Sequence, residues 1–465
     1  MEWERLLSPK RFVLWNEGEE VSCRSDYDTI ICSTLFRRLQ DKAQVFPLEE
    51  DDYVRTRLTH SLEVSAIGKR LGEYVFGQLK ASEIDPWFQD HSEKEFSDVL
   101  LCAGLVHDIG NPPFGHFGEY AVREWFQANL RTMTLGQRRV TELLSEWQRE
   151  DLYRFEGNAQ SLRLLSGTPY LGRMEGFNLS YRVLAAIIKY PVSSEELKNG
   201  NPAGYKKMGY NCAEKELFDR INQETGMNGC RHPLSYLLEA ADDIAYRTSD
   251  LEDAMVKKVL TLPQIMEGLR QYLEETEDSS EKRKAWIHVE RLRKLYEEEV
   301  KSRGRKPELT AVQRWNQSMQ KVMIEDAAAV FVTHYRHIME GCLKGDLFEG
   351  TVSGHIINAI ARLSENLIYT SSVKIRTELF GRRVIDSLLS QFMPAAVKYD
   401  TGEAMTFIDK RTMDIISGFY KSMYHGEAAG RSEGHRLYLR MLMVTDYISG
   451  MTDNYARRLY RELFA

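Results

Sequence analysis

Apolar residues recur every three to four positions along most of this chain, and no series of strictly alternating apolar and polar positions marks out a strand-rich fold. Thr59 to Leu79 carries Leu62, Ile67, Leu71, Val75 and Leu79 at mostly helical spacing. Phe96 to His107 is apolar enough for a buried helix, and Gly118 to Leu130 restarts a helix after a Gly/Pro-rich turn. Tyr181 to Lys189 predicts another apolar helix, stopped by Tyr190-Pro191, because proline disfavours helical backbone before it and lacks an N–H. Pro233 stands at a favourable first position for a helix that runs through Asp242. Ser279 to Lys306 is dense in charge, with Trp286, Val289, Leu292, Leu295 and Tyr296 as an apolar stripe, which reads as a solvated helix packed by one face. From about Asp326 the pattern is again helical, with Gly350, Gly381 and Gly402 near candidate turns. Asn199 to Gly204 and His425 to Arg431 read as loops. A hairpin over Gln44 to Val54, turning at Glu49-Glu-Asp-Asp52, is the one antiparallel pair the pattern suggests. The fold class expected is therefore all-α.

Composition narrows the class further. The chain has 465 residues, 43% hydrophobic and 28% charged, enough for a large core or for two to three packed subdomains of a soluble protein. A net charge of -7 leaves no global basic footprint for nucleic acid. Gln137-Arg-Arg139 and the 279–306 helix are the only basic stretches, and both read as solvated faces. The first residues, Met1-Glu-Trp-Glu-Arg5, lack the apolar stretch of a signal peptide. The longest apolar run, Val99 to Val106, is far below the ~20 residues a spanning helix needs. Six scattered cysteines without a C-x-x-C pair suit reduced thiols in a cytosolic protein rather than a disulfide framework or a zinc site.

Chemistry enters with His60, the adjacent pair His107-Asp108, and Asp242. Imidazole and carboxylate hold catalytic divalent ions while leaving positions open for water and substrate. His107-Asp108 ends an apolar stretch and runs into Ile-Gly-Asn-Pro-Pro-Phe-Gly-His-Phe-Gly-Glu119, so a helix presents both residues at its C-terminal end. Alone, the dipeptide reads equally as a cap on a structural turn. Asp242, Tyr246 and Asp250 follow one another along one helix face at ~3.6 residues per turn. That face is either open to solvent or buried with partners, because burying two carboxylates and a phenol without them is costly.

The ordered set of segments is more specific than any one of them. Phe36-Arg-Arg-Leu-Gln-Asp-Lys-Ala-Gln-Val-Phe-Pro-Leu48, Arg55-Thr-Arg-Leu-Thr-His-Ser-Leu-Glu-Val64, His107 to Glu119, Phe155-Glu-Gly-Asn-Ala-Gln160, Ile188-Lys-Tyr-Pro191, Glu239 to Tyr246 and Asp446 to Ala456 span nearly the whole chain. With His…His-Asp…Asp they resemble the HD metal-dependent phosphohydrolase superfamily, and specifically its dGTP triphosphohydrolase (deoxynucleotide triphosphohydrolase) family. The resemblance implies an α-helical HD-domain core over residues 1–260 and a helical C-terminal region over 261–465 that completes the nucleotide pocket and oligomer contacts. It implies hydrolysis of dGTP to deoxyguanosine and inorganic triphosphate, a cytoplasmic enzyme and a homo-hexamer. Single-stranded DNA or a second nucleotide is an effector of some relatives.

Residue by residue, the resemblance implies that His60, His107, Asp108 and Asp242 bind Mg²⁺ or Mn²⁺, polarising the α-phosphate and activating water. His116 and Glu119 match the family's catalytic pair, the imidazole transferring a proton at the P–O5′ bond and the carboxylate orienting it. Arg57 and Lys189 match phosphate contacts, while Tyr246 and Asp250 match residues lining the nucleotide site. Gln44 matches a contact to the sugar 3′-hydroxyl, where close packing under the sugar also excludes a 2′-hydroxyl. Asn158 matches a pocket residue and reads equally as a helix N-cap. Glu378 loosely matches a position that accepts from guanine N1 and N2, and Tyr369 is a separate candidate to stack on the base, although both also suit ordinary helix-surface or core positions. Arg436 and Arg440 are alternative candidates for a further phosphate contact, and the sequence does not choose between them.

Where many relatives carry a basic run, this chain has Asp26-Tyr-Asp-Thr-Ile-Ile-Cys32, which bears on assembly and effector binding rather than on the metal ligands. Two readings compete with a dGTP-specific enzyme. One is a broad dNTP triphosphohydrolase or another HD nucleotide phosphohydrolase. The other is a non-catalytic nucleotide sensor or single-strand DNA-binding oligomer.

Overall fold

The computed structural model describes residues 1–12, 23–48, 52–167, 176–201, 204–303 and 305–464. Helices account for nearly all regular structure, and the one sheet among the described residues is the short antiparallel pair Thr134–Leu135 and Arg138–Arg139. The all-α expectation holds. The chain divides into two units interleaved in sequence: a first of Met1–Ala43, Leu105–His232 and Glu378–Ala465, and a second of Gln44–Gly104 and Pro233–Thr377.

The second unit is built on two long helices, Arg57–Ser82 and Pro233–Val256, which pack on each other and on Pro307–Thr333. Arg57–Ser82 starts where Thr56 caps the Thr59 N–H in a reciprocal capping box, and stops at Glu83 in a left-handed conformation. Its buried stripe runs Val64, Ile67, Leu71, Val75, Leu79; Leu62, which the spacing had placed on this stripe, is exposed. A Cβ on Gly104 would stand 2.6 Å from the Ser65 Cα, and one on Gly72 would stand 3.2 Å from that of Ser97. Glycine thus lets Glu93–Val106 lie directly against Arg57–Ser82, and His107 follows three residues beyond Gly104. The charged helix, Ser280–Lys301, buries Ala285, Val289, Leu292 and Leu295 and ties its outer face with pairs such as Arg293–Glu297 at 2.6 Å, as expected of a solvated helix.

The first unit contains Gly115–Asn129, Glu146–Tyr153, Gly157–Gly167, Tyr181–Ile187 and Glu433–Ser449. The Tyr181 helix ends before Pro191 as its sequence predicts. At its centre Arg163, 1% exposed, meets Asp446 and Glu214 at 2.8 Å and Glu427 at 3.4 Å. Asp26, inside the segment that departs from the relatives' basic run, is buried and paired with Arg11 at 2.7 Å, and it accepts from the Ser180 hydroxyl at 2.6 Å.

Three expectations need correction. The described residues within the suggested 44–54 hairpin, 44–48 and 52–54, form turns and bends rather than strands, and Glu49–Asp51 of its turn lie outside the described residues. His425 to Ala428 is helical, the last turn of Gly418–Ala428, which buries Tyr424 and Ala428. Gly381 lies within the Ser372–Lys398 helix, and its missing side chain makes room for the Phe114 ring, 2.6 Å from where a Cβ would sit. No described helix is long and apolar enough to cross a membrane.

Candidate active site

The Glu93–Val106 helix, most of which belongs to the second unit, delivers the chain to His107 and Asp108 of the first, both nearly buried. The turn that follows is braced from two sides. Lys42 donates its ammonium to the carbonyls of Asn111 and Ser449, both at 2.6 Å, and the Phe114 N–H donates to Asp453 at 2.9 Å. Asn111 in turn donates its amide to the Asp108 carboxylate. Phe114 holds a left-handed conformation, φ 66°, and launches Gly115–Asn129.

That helix carries His116 and Glu119 one turn apart, in opposite environments. The His116 side chain is 78% exposed and Glu119 3%, with imidazole Nδ1 facing the carboxylate Oε2 at 3.4 Å. The other oxygen, Oε1, accepts the Gly157 N–H at 3.0 Å. A Cβ on Gly157 would sit 2.5 Å from that oxygen and 2.2 Å from Asn111 Oδ1, so only glycine lets the Gly157–Gly167 helix approach this closely. Arg123, one turn after Glu119, donates to it at 3.3 Å and to Glu156 at 2.8 Å. Lys207 reaches the other Glu156 oxygen at 3.0 Å, and Asn158 donates to that same oxygen at 2.9 Å. Burial alone would raise the Glu119 pKa, but the His116 bond and charge, then Lys207 and Arg123, outweigh it and hold the carboxyl below the usual range. Burial, then the neighbouring Glu119 charge, pushes Glu156 the other way. The two neighbouring carboxyls are thus pushed in opposite directions, with the one held low set against the exposed imidazole.

In the second unit, His60 is buried on Arg57–Ser82, and its Nε2 lies 3.0 Å from Asp242 Oδ1 on Pro233–Val256. The structure therefore brings together two sequence-predicted ligands 182 residues apart. Along the same Pro233–Val256 helix Tyr246 is half-buried and Asp250 buried, so their face is not open to solvent. Burial raises the Asp250 pKa to about 7. The Tyr369 hydroxyl donates to Asp250 Oδ2 at 3.1 Å, while Asp250 Oδ1 is buried without a hydrogen bond among the described residues. Lys374 lies over the Tyr369 ring at 5.4 Å and donates to the Val45 carbonyl at 3.3 Å, next to Gln44, whose Oε1 also lacks a partner among the described residues. Gln44, Tyr369 and Asp250 thus belong to one polar region with two unsatisfied acceptors. Arg57 is buried at the start of its helix. Lys189, in the first unit, is half-buried, with its ammonium 5.6 Å from the Tyr190 ring centroid. Glu378, also in the first unit, is half-buried on Ser372–Lys398. Arg436 is committed to Asp400 at 2.7 Å, whereas the buried Arg440 keeps Nε and Nη2 without hydrogen bonds among the described residues.

The sequence had not marked Arg123, Glu156, Lys207 or Arg247. Arg123 stands four residues from Glu119 and Glu156 falls inside a motif segment, so both carried a local signal. Arg247, over the Tyr246 ring at 4.3 Å, adjoins another. Lys207 had none.

A family model described as HD domain matches residues 57–163, from the His60 helix through His107-Asp108 and the His116–Glu119 pair. A second, described as phosphohydrolase-associated domain, matches 421–462. The chain is an HD-domain protein. A "Deoxyguanosinetriphosphate triphosphohydrolase-like protein" of Listeria monocytogenes is 41% identical over 100% of this chain and 99% of its own length. One of the same name from Synechocystis sp. is 32% identical over 100% and 99%. The "Deoxyguanosinetriphosphate triphosphohydrolase" of Klebsiella pneumoniae is 32% identical over 95% and 93%. The chain belongs to the deoxyguanosinetriphosphate triphosphohydrolase-like family.

Proposed function

We propose that this protein hydrolyses a deoxynucleoside triphosphate, with dGTP as the preferred substrate, to the deoxynucleoside and inorganic triphosphate. The observation that carries the reading is the exposed His116 imidazole held at Nδ1 by the buried, ionised Glu119. The names of relatives that match along almost their whole length point to the same chemistry.

His60, His107, Asp108 and Asp242 would hold a divalent cation. Their donor set, two imidazoles and two carboxylates, suits Mg²⁺ or Mn²⁺ with positions left open, and the close approach of His60 to Asp242 suits ligands that share an ion. Such an ion supplies polarisation of the α-phosphate and eases deprotonation of the attacking water. The chain's own groups do the rest. Water adds at the α-phosphorus, the P–O5′ bond breaks, and His116 gives a proton to the departing O5′ while Glu119 steadies the charged ring. Arg57 and Lys189 bind phosphate. Tyr246, Asp250, Tyr369, Gln44 and Asn158 line the nucleotide site. Glu378 accepts from the guanine edge. The two unsatisfied acceptors on Gln44 and Asp250 favour a ligand with hydroxyl or amino donors, as a sugar and a base both are. The reading includes a homo-hexamer in the cytoplasm, with single-stranded DNA or a second nucleotide as effectors to add to the assay.

The test incubates the purified protein with Mg²⁺ or Mn²⁺ and each of the four dNTPs and GTP, separating products by chromatography. Deoxyguanosine plus intact triphosphate from dGTP alone is the expected outcome. Equal turnover of all four dNTPs would keep the chemistry and remove the guanine preference; release of orthophosphate would overturn the triphosphohydrolase reading.

A further inference from the structure

The first unit opens a cavity of about 420 Å³ between Gly115–Asn129, Glu146–Tyr153 and the segment Lys206–Met208, lined in part by Arg123, Glu156 and Lys207 from the surroundings of Glu119. Its volume falls in the range of small-molecule sites, roughly 300–1,000 Å³. Five of its lining residues are cationic: Arg123, Arg131, Arg154, Lys206 and Lys207. Only Glu150 and Glu156 oppose them, which leaves a formal excess of three positive charges (five less two) in a protein whose net charge is -7.

The cations are of two kinds. Arg123 and Lys207 hold Glu156, and Arg154 holds Glu150 at 3.1 Å, where Lys198 also pairs at 2.9 Å. Arg131 and Lys206 make no ion pair or hydrogen bond among the described residues, yet both face the same cavity as the other three. A structural salt-bridge network has no use for two surplus cations beside three committed ones, since like charges gathered together repel. A bound polyanion supplies the missing counter-charge, and guanidinium groups bind phosphate oxygens in a bidentate manner.

We propose that this cavity is a binding site for a compact polyphosphate, either inorganic or the triphosphate tail of a nucleotide, separate from the residues assigned to catalysis. The apolar lining is confined to the Leu197 and Met208 side chains and the Tyr153 ring, too little to enclose a base and sugar on its own, so phosphate dominates recognition. Because Arg123 and Lys207 serve both this cavity and the carboxylates around Glu119, a ligand here draws them away from Glu156 and Glu119. Occupancy therefore slows the chemical step without competing for the substrate. This consequence rests on the proposed hydrolase function; the binding itself does not.

The test is calorimetric titration of metal-loaded protein with tripolyphosphate, pyrophosphate and orthophosphate, for wild type, the double variant Arg131→Ala/Lys206→Ala, and Glu150→Gln. Neither variant alters a residue assigned to catalysis; Arg131 and Lys206 are exposed, while Glu150 is 12% exposed and paired with Arg154 and Lys198, so thermal melts check that each variant folds. The double variant is expected to lose one tripolyphosphate-binding event, or to weaken it by about tenfold or more, while Glu150→Gln, which frees Arg154, tightens it. Comparing tripolyphosphate with a nucleoside triphosphate separates the two sources: equal affinity assigns the site to the phosphate chain alone, and tighter nucleotide binding to the tail plus its nucleoside. In turnover assays, tripolyphosphate should lower kcat for wild type and lose that effect in the double variant, keeping only competition. Identical isotherms for all three proteins would overturn the proposal, whatever the protein proves to hydrolyse.

Discussion

Replacing Glu119 by Gln keeps the shape of the side chain and removes its charge, which isolates what the carboxylate does for His116. One amide oxygen can still accept the Gly157 N–H, but the amide nitrogen then faces Arg123 and the His116 Nδ1, two donors that the carboxylate satisfied at 3.3 and 3.4 Å. A unit charge at 3.4 Å is worth about 1 kcal/mol in water and about 5 kcal/mol at an effective dielectric of 20. Because the imidazole is mostly exposed, the lower half of that range applies, about 1–3 kcal/mol, which is a ~5- to 150-fold loss of kcat. His116→Ala removes the proton-transfer group altogether and should cost ~10²–10⁴-fold. The double variant should be close to His116→Ala, because a carboxylate that works through the imidazole has nothing left to support. Steady-state kinetics on the three variants, with circular dichroism melts to check folding, measure this directly. If Glu119→Gln proves more damaging than His116→Ala, or if the two losses add in full, Glu119 acts on substrate or metal rather than through His116. The acid limb offers an independent check. Glu119 is held below the ordinary carboxyl range, so it stays ionised until the pH falls through that lowered value. Loss of activity assignable to it should therefore lie below about pH 4.5.

Asp242→Ala should abolish turnover and also the stabilisation by added Mn²⁺, which for wild type at a hundredfold excess over Kd amounts to about 2.7 kcal/mol; equal thermal shifts in both proteins would remove Asp242 from the metal site. Arg163→Leu leaves the buried Asp446 and Glu214, and the half-buried Glu427, without their shared cation and should destabilise the protein by about 3–5 kcal/mol in urea unfolding. The penalty should shrink at acid pH, where those carboxyls take up protons, and a loss that ignores pH would contradict this account. His232 is buried, with its ring bonded to the Leu6 carbonyl at 3.1 Å, and burial lowers its pKa from about 6.5 to about 4. The unfolded chain binds the proton more readily, so stability from this site is fully present above about pH 6.5 and lost as the pH falls to about 4, by about 3 kcal/mol in all. His232→Gln should flatten that part of the stability-versus-pH curve, and an unchanged slope would refute it.

What could be read from the sequence, and what could not, follows from the range of each interaction. Helices declare themselves within about four residues, so Arg57–Ser82, Glu93–Val106 and Pro233–Val256 were legible from periodicity and capping residues. The pairing of His60 with Asp242 was legible only through motif order, since nothing local links positions 182 apart. Glycines misled where their use was not a turn. Gly381 reads as a breaker, yet it sits mid-helix to admit the Phe114 ring, a close approach invisible until the partner is known. Leu62 faces solvent because it stands five residues before Ile67, about 140° around the helix, whereas Ile67, Leu71, Val75 and Leu79 follow one another at four and stay on one stripe. The 425–428 segment reads as a loop from Gly426 and Gly430, but burial of Tyr424 and Ala428 carries the helix through it.

The electrostatic surroundings of Glu119 were the least legible, and for a physical reason. His116 and Arg123 lie within one turn of it and are forced to its side of the helix by the helical repeat. Lys207 is 88 residues away by number (207 less 119), in a segment without helical or strand periodicity, and nothing about its neighbours Lys206 and Met208 predicts a role. Its ammonium nonetheless contributes to keeping Glu119 ionised and is bound to Glu156 at 3.0 Å. A carboxylate can be buried and remain charged only if cations are delivered to it. The His-x-x-Glu spacing therefore implies that cations must come from elsewhere in the chain, without saying from where. The pair is legible as chemistry in the sequence, while the charge balance that makes it work is a property of the folded unit.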